Sequence, residues 1–320
     1  MVDSVQTCVT DETPTAAGSV ATLRAVADRL MQLAKGANVA MLLAGHVTKD
    51  GQIAGPRLLE HLVDVVLYFD GSEGASAGSG HRLLRCHKNR FGPTHEIGVF
   101  SMGQRGLFSV TGGSVRQQLE RPSPGLAQTV CVAGSRGFVL ELEALVLPAP
   151  RGAHARGAPA APRPRTVGFD PTRFGMLAAV LQRAHVALFR GAEVFLNVPG
   201  GLRALDSARG DPACDLAVLA ALLSSATGVA LPATALFLGE VSLTGELRRG
   251  VPRLESRLAA AAKAGYETVY LPAAAMAEAS AIERGAGGAW TLVPVGSASE
   301  LAKLLDPDWL GPDAALLSGG

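Results

Sequence analysis

The residues best able to do chemistry gather in the first third of a 320-residue chain. Asp3 stands in MVDSVQT at the start. A carboxylate at a strand end can hold the hydrated Mg2+ of a bound nucleotide; an Asp there also serves as an ordinary turn or cap residue. His46 follows the apolar run VAMLLA (39–44) and opens GHVTKDGQIAG. An imidazole at a strand end can donate to a phosphate oxygen and report its loss, although a satisfied loop histidine occupies the same kind of position. The loop that follows sets Lys49 and Arg57 among Gly45, Gly51 and Gly55. Spaced cations on a glycine-rich backbone suit phosphate contact, which is electrostatic, and suit a solvated loop equally well. The third group is Lys88-Asn89-Arg90-Phe91-Gly92. Its two cations, amide and aromatic can serve phosphate and base together, or reach a neighbouring subunit's nucleotide. Phe91 either stacks on a base or packs behind its own loop.

Composition limits what these groups can belong to. Lys and Arg number 29 against 28 Asp and Glu, a formal net charge of +1. A protein that coats nucleic acid over its whole surface would be strongly basic, so any such contact is a local patch. The four cysteines, Cys8, Cys86, Cys131 and Cys214, form no C-x-x-C pair. The spacing of a structural zinc site is therefore absent, and free thiols in a reducing cytoplasm are expected. No signal peptide follows Met1, and no apolar run reaches the length of a membrane span.

The scaffold that must position these groups reads as α/β. Ser19 can cap a helix running to Lys35, with Gly36 to end it. Residues 39–44 and 65–69 fit buried strands, with a short helix after Pro56. Residues 82–88 and 96–102 fit a hairpin, and 107–110 another strand. Residues 113–127, rich in Gly, Ser, Pro and Gln, read as a linker between a first domain (1–112) and a second (128–320). Within the second, the Pro- and Arg-rich stretch 147–166 reads as a mobile loop. A helix from Pro171, a strand VFLNV, a helix over 213–225 and a helix from Pro252 to Lys263 follow.

Three motifs together carry a family resemblance. MVDSVQT resembles the Walker B strand IDSxQT of the bacterial RadA (Sms) family. GHVTKDGQIAGPRLLEHLVD (45–64) is similar almost residue for residue to that family's GHVTKDGxxAGPRxLEHxVD, and KNRFG (88–92) is its distinguishing motif. The resemblance implies a RecA-like P-loop NTPase core from its Walker B strand onward. Asp3 and His46 would then be Mg2+- and nucleotide-sensing residues. Lys49, Arg57, Lys88, Asn89, Arg90, Phe91 and Gly92 would be DNA-binding or coupling residues.

The second half resembles the proteolytic domain of Lon through VFLNVPGGL, DPACDLAVLAALLSS and GEVSLTGELRRGVPRLESRLAAAAKAG. Lon enzymes need a serine nucleophile and a lysine base. Ala213 stands at the serine position and Glu255 at the lysine position. An α+β, ribosomal S5 domain 2-like, protease-dead scaffold is expected.

The family resemblance implies an ATP- and Mg2+-dependent DNA repair hydrolase. It would act on single-stranded DNA and in branch migration, as a homo-hexamer, with the recombinase RecA and replicative helicase-type proteins as partners. Neither the family's zinc finger nor a GxxxxGK[ST] loop occurs in the sequence. This gives the expectation of a truncated product or internal start that hydrolyses no ATP by itself. A Lon-type peptidase and a non-enzymatic DNA-binding or assembly module are the alternative readings.

Overall fold

The computed structural model describes residues 1–11, 15–46, 58–71, 81–94, 96–109, 122–133, 135–148, 163–184, 189, 191–199, 211–286 and 290–305. They form a mixed α/β protein with several sheets. Two compact units divide the chain: residues 1–68 with 85–95, and residues 69–84 with 96–320.

In the first unit, helix α1 (Val20–Ala37) starts where the Ser19 hydroxyl accepts the Thr22 N–H at 3.2 Å. Its apolar stripe buries Leu23 and Val26 against Val5, with Leu30 and Leu59 at the margin. The helix runs through Gly36 and ends instead at Asn38. That residue takes the left-handed conformation (φ 52°) and donates its N–H to the Ala34 and Lys35 carbonyls. Asn reaches this region at little cost, so it closes the helix in place of the glycine. Strands β1 (Val2–Asp3) and β2 (Leu43–Ala44) pair in parallel, Val2 opposite Leu43 and Asp3 opposite Ala44. Of the apolar run 39–44, only these last two residues are strand. Helix α2 (Leu58–Leu62) follows.

Strands β3 (Val65–Gly71), β4 (His81–Asn89), β5 (Ile97–Gly103) and β6 (Gly106–Ser109) form one sheet in that order. The boundary between the units falls inside β3 and inside β4.

The second unit holds a four-stranded sheet ordered β7-β8-β10-β9. Strands β7 (Leu126–Ala133) and β8 (Arg136–Leu147) form an antiparallel hairpin, and β10 (Glu193–Asn197) lies antiparallel to β8 and parallel to β9 (Arg163–Val167). Residues 163–166, expected within the mobile loop 147–166, are therefore strand. They take register against 193–196, and the Arg165 guanidinium lies 5.5 Å from the Phe195 ring centroid. Pairing with a buried strand supplies the order that composition alone does not suggest. Leu147 likewise closes β8, and Leu126 and Ala127, read as the end of the linker, open β7.

Helices α3 (Pro171–Ala184) and α4 (Asp215–Thr227) pack on this sheet. Helix α4 is apolar on every face and buries each residue from Asp215 to Ser224, as a helix at the centre of a core must. A parallel three-stranded sheet, β11 (Ala235–Phe237), β12 (Thr268–Pro272) and β13 (Thr291–Val295), stands with α6 (Met276–Ala286) and α7 (Ala298–Leu305), while α5 (Leu254–Lys263) packs on the β7–β8 hairpin. Among the described residues no helix is long and apolar enough to cross a membrane.

Candidate functional site

The parallel register of β1 and β2 decides where the first candidates stand. Asp3, the last residue of β1, lies opposite Ala44, and His46 follows two residues later, so the two stand at the carboxyl ends of adjacent parallel strands. Open α/β sheets present their ligand-binding groups at that end. Gln6, in the turn after β1, donates from Nε2 to the His46 carbonyl at 3.2 Å. It ties the segment carrying the carboxylate to the one carrying the imidazole. Sequence reasoning passes over Gln6, because an amide in MVDSVQT gives no sign of reaching residue 46. Lys49 and Arg57 lie outside the described residues.

The turn Lys88-Asn89-Arg90-Phe91-Gly92 ends β4 and faces the short helix α2. The Lys88 ammonium donates to the Glu60 carbonyl at 2.9 Å and to the His61 carbonyl at 3.1 Å. These belong to the last turn of α2, where main-chain oxygens lack helical partners and a cation is favoured. Asn89 builds the bend: its Oδ1 accepts the Phe91 N–H at 3.0 Å and its Nδ2 donates to the Pro93 carbonyl at 3.3 Å. A Cβ on Gly92 would stand 3.3 Å from that amide, closer than most side chains tolerate, so glycine suits the position.

The main-chain N–H of Arg90 donates to the Asp64 carbonyl at 3.0 Å, and its guanidinium meets the Asp64 carboxylate at 3.2 Å. Phe91 is 78% exposed.

Glu60, inside LLEHLVD, joins the same edge. It accepts the Tyr68 hydroxyl at 2.7 Å and stands 3.6 Å from His87 Nε2, while Tyr68 and His87 meet edge to face at 5.5 Å. Glu60 and Asp64 are the residues that motif reading misses. Both stand in the quoted motif, but only the fold reveals what they face.

In the second unit stand Ala213 and Glu255, the positions that the Lon resemblance aligns with a serine–lysine dyad. Ala213 is fully buried and Glu255 is exposed on the first turn of α5. Cys214 is buried among apolar groups. Burial first, then the Asp211 charge, push its thiol well above the ordinary range and push neighbouring Cys131 up to about 12. Only a thiolate attacks, so neither buried thiol is disposed to act as a nucleophile.

Two ion pairs flank Ala213. Asp211 accepts the Ala213 N–H at 3.1 Å and the Val132 N–H at 3.2 Å, and pairs with Arg257 at 2.7 Å. Arg257 donates also to the Pro252 carbonyl at 2.8 Å and to the Val130 carbonyl. Asp215 binds both Nε and Nη2 of Arg173 and accepts the Val241 N–H at 3.0 Å, while Arg173 donates to the Val241 carbonyl at 2.8 Å. Burial pushes the Asp215 carboxyl up to about 6; the hydrogen bonds from Arg173 and Val241 and the Arg173 charge pull the other way, and Glu240 adds a smaller push upward. The turn around Ala213 is thus held on both sides by ion pairs and main-chain hydrogen bonds.

No family model matches the chain. Curated relatives do. The DNA repair protein RadA of Brucella abortus (strain 2308) is 43% identical over 274 residues, covering 85% of this chain and 55% of that protein. RadA of Helicobacter pylori (strain J99 / ATCC 700824) is 40% identical over 273 residues, 85% and 57% of the two chains. RadA of Rickettsia prowazekii (strain Madrid E) is 39% identical over 271 residues, 84% and 57%. The chain therefore spans little more than half the length of these relatives. The resemblance carried by GHVTKDG and KNRFG extends, at this level of identity, over most of the sequence.

Proposed function

We propose that this chain, similar to RadA over 85% of its length, is part of a DNA repair protein acting on single-stranded DNA and in branch migration of recombination intermediates. In this reading the first segment is the end of a RecA-like nucleotide-binding core, and the second is a Lon-like domain that has lost its peptidase function. The assembly is a cytoplasmic homo-hexameric ring, with the recombinase RecA and replicative helicase-type proteins as partners. The chemistry of the site fits ATP and Mg2+ only in part. Asp3 offers one hard oxygen ligand to Mg2+ and His46 one phosphate donor. The sequence holds no GxxxxGK[ST] cradle, whose N–H groups and lysine supply most of the phosphate affinity. The 320-residue chain alone is expected to release no phosphate from ATP, with or without DNA.

The observation that best supports DNA contact is the KNRFG turn, where the consecutive side chains of Arg90 and Phe91 are both largely exposed. A cation for phosphate and a free aromatic face for a base are the two parts of a sequence-tolerant single-strand site. The test is titration of labelled oligo-dT against the chain and its Arg90→Ala variant at several salt concentrations. Affinity should fall in the variant, and the slope of log affinity against log salt should flatten by about one contact. Equal affinity and slope in the two proteins would remove DNA contact from this turn. A Lon-type peptidase is disfavoured by the buried methyl of Ala213.

A further inference from the structure

The two cations of KNRFG are not held alike. Lys88 is fixed by two main-chain carbonyls at the end of α2, and Asn89 fixes the bend. The main chain of Arg90 is fixed as well, through its N–H on the Asp64 carbonyl. Its guanidinium, however, is held at 3.2 Å by the Asp64 carboxylate, with the two side chains 73% and 44% exposed. An ion pair this open to water is weak, and a competing anion displaces it at little cost. A carboxylate presents to a guanidinium the same planar pair of oxygens that a phosphate does.

We propose that Asp64 is an internal competitor for the phosphate that Arg90 binds, so that within KNRFG the releasable contact is Arg90 while Lys88 acts as a positioning residue. The proposal rests on the reading of this turn as a phosphate-binding site. When phosphate arrives, Arg90 exchanges one oxyanion for another. The turn does not move, because its main-chain and amide bonds are independent of the Asp64 side chain. Asp64 therefore sets affinity without setting shape. The phosphate is either a nucleic-acid diester or the terminal phosphate of a nucleotide, and the ligands tested separate these.

The experiment compares wild type, Asp64→Asn, Arg90→Ala and the double variant, each titrated with labelled oligo-dT and, separately, with inorganic triphosphate. Thermal unfolding of each protein is recorded alongside, with Asp64→Ser as a second replacement should the amide fold poorly. Asp64→Asn should bind about two- to fivefold more tightly, the range an exposed pair can withhold. The gain should vanish in the Arg90→Ala background. Tightening toward the oligonucleotide identifies a diester ligand, and tightening toward triphosphate a nucleotide. An Asp64→Asn effect of the same size with and without Arg90 would be a general field effect and would overturn the proposal. No tightening toward either ligand would overturn it too. Loss of oligo-dT affinity in Arg90→Ala with a silent Asp64→Asn leaves the DNA-contact reading standing and removes only the competition. A silent Arg90→Ala removes both.

Discussion

Both units pair arginine with aspartate, to opposite ends. In the second unit the pairs are enclosed: the Asp215 side chain is 0% exposed and that of Arg257 3%. Arg173 and Arg257 each also hold a main-chain carbonyl, so the pairs tie α3 to α4 and to the segment at Val241, and α5 to β7. In the first unit the Arg90–Asp64 pair lies open to water. The same two functional groups are strong where water is excluded and weak where it screens them. The lesson is one of placement. The second unit uses these charges for rigidity. The first unit leaves its Arg90–Asp64 pair where solvent ions can compete for it.

The comparison breaks most visibly in stability. Arg173→Ala strands the buried Asp215 carboxylate and should cost ~3–5 kcal/mol in urea unfolding. Arg90→Ala, by contrast, should cost under about 1 kcal/mol; equal losses would erase the distinction between the pairs.

Acid sharpens the contrast next. The folded pKa of Asp215, about 6, lies above its ordinary 3.8, so the native state holds that proton more tightly than the unfolded chain does. Its contribution is fully present below about pH 4 and is lost as pH rises through about 6, on the order of 2–3 kcal/mol at roughly 1.4 kcal/mol per unit. Melting curves from pH 4 to 7 should show that downward slope in wild type and not in Asp215→Asn; parallel curves would contradict it.

Phe91→Ala comes third. It should lose ~1–3 kcal/mol of oligo-dT binding with an unchanged melting temperature, and a lowered melting temperature would return Phe91 to a packing role.

Least of all, Lys88→Met frees the end of α2 and should cost ~0.3–1 kcal/mol of stability. Its salt slope for DNA should match wild type, whereas a flattened slope would make Lys88 a phosphate contact.

The sequence discloses these regions unequally. Helix α1 is legible because Ser19 caps it and its apolar residues recur at helical spacing, although its end is not, since Asn38 does the work expected of Gly36. Helix α4 is legible as an apolar run after Asp211 and Pro212. A lone Asp215 at its head signals a buried carboxylate that must be paired, but nothing nearby in sequence names Arg173 as the partner. Strand β9 is hidden because its residues, RPRTV, look like the low-complexity stretch they end. In the candidate site, the motifs locate Asp3, His46 and KNRFG, whereas Gln6, Glu60 and Asp64 gain meaning only from what the fold sets opposite them. Types and spacing reveal which groups can act; through-space partners decide which of them are free to.

The strand order β7-β8-β10-β9 has a consequence in time. Strand β9 precedes β10 in the chain, yet β10 lies between it and β8. The β7–β8 hairpin needs only local closure, Ala133 against Arg136, whereas β10 must come back from Glu193 to meet Leu147. Such a distant closure spends chain entropy before any pairing repays it. Until it happens, β9 has no neighbour to join. A ribosome delivers β9 first, so that strand must wait, unpaired, for a later segment to build the edge it completes. Completion of this sheet edge therefore cannot precede the placement of β10.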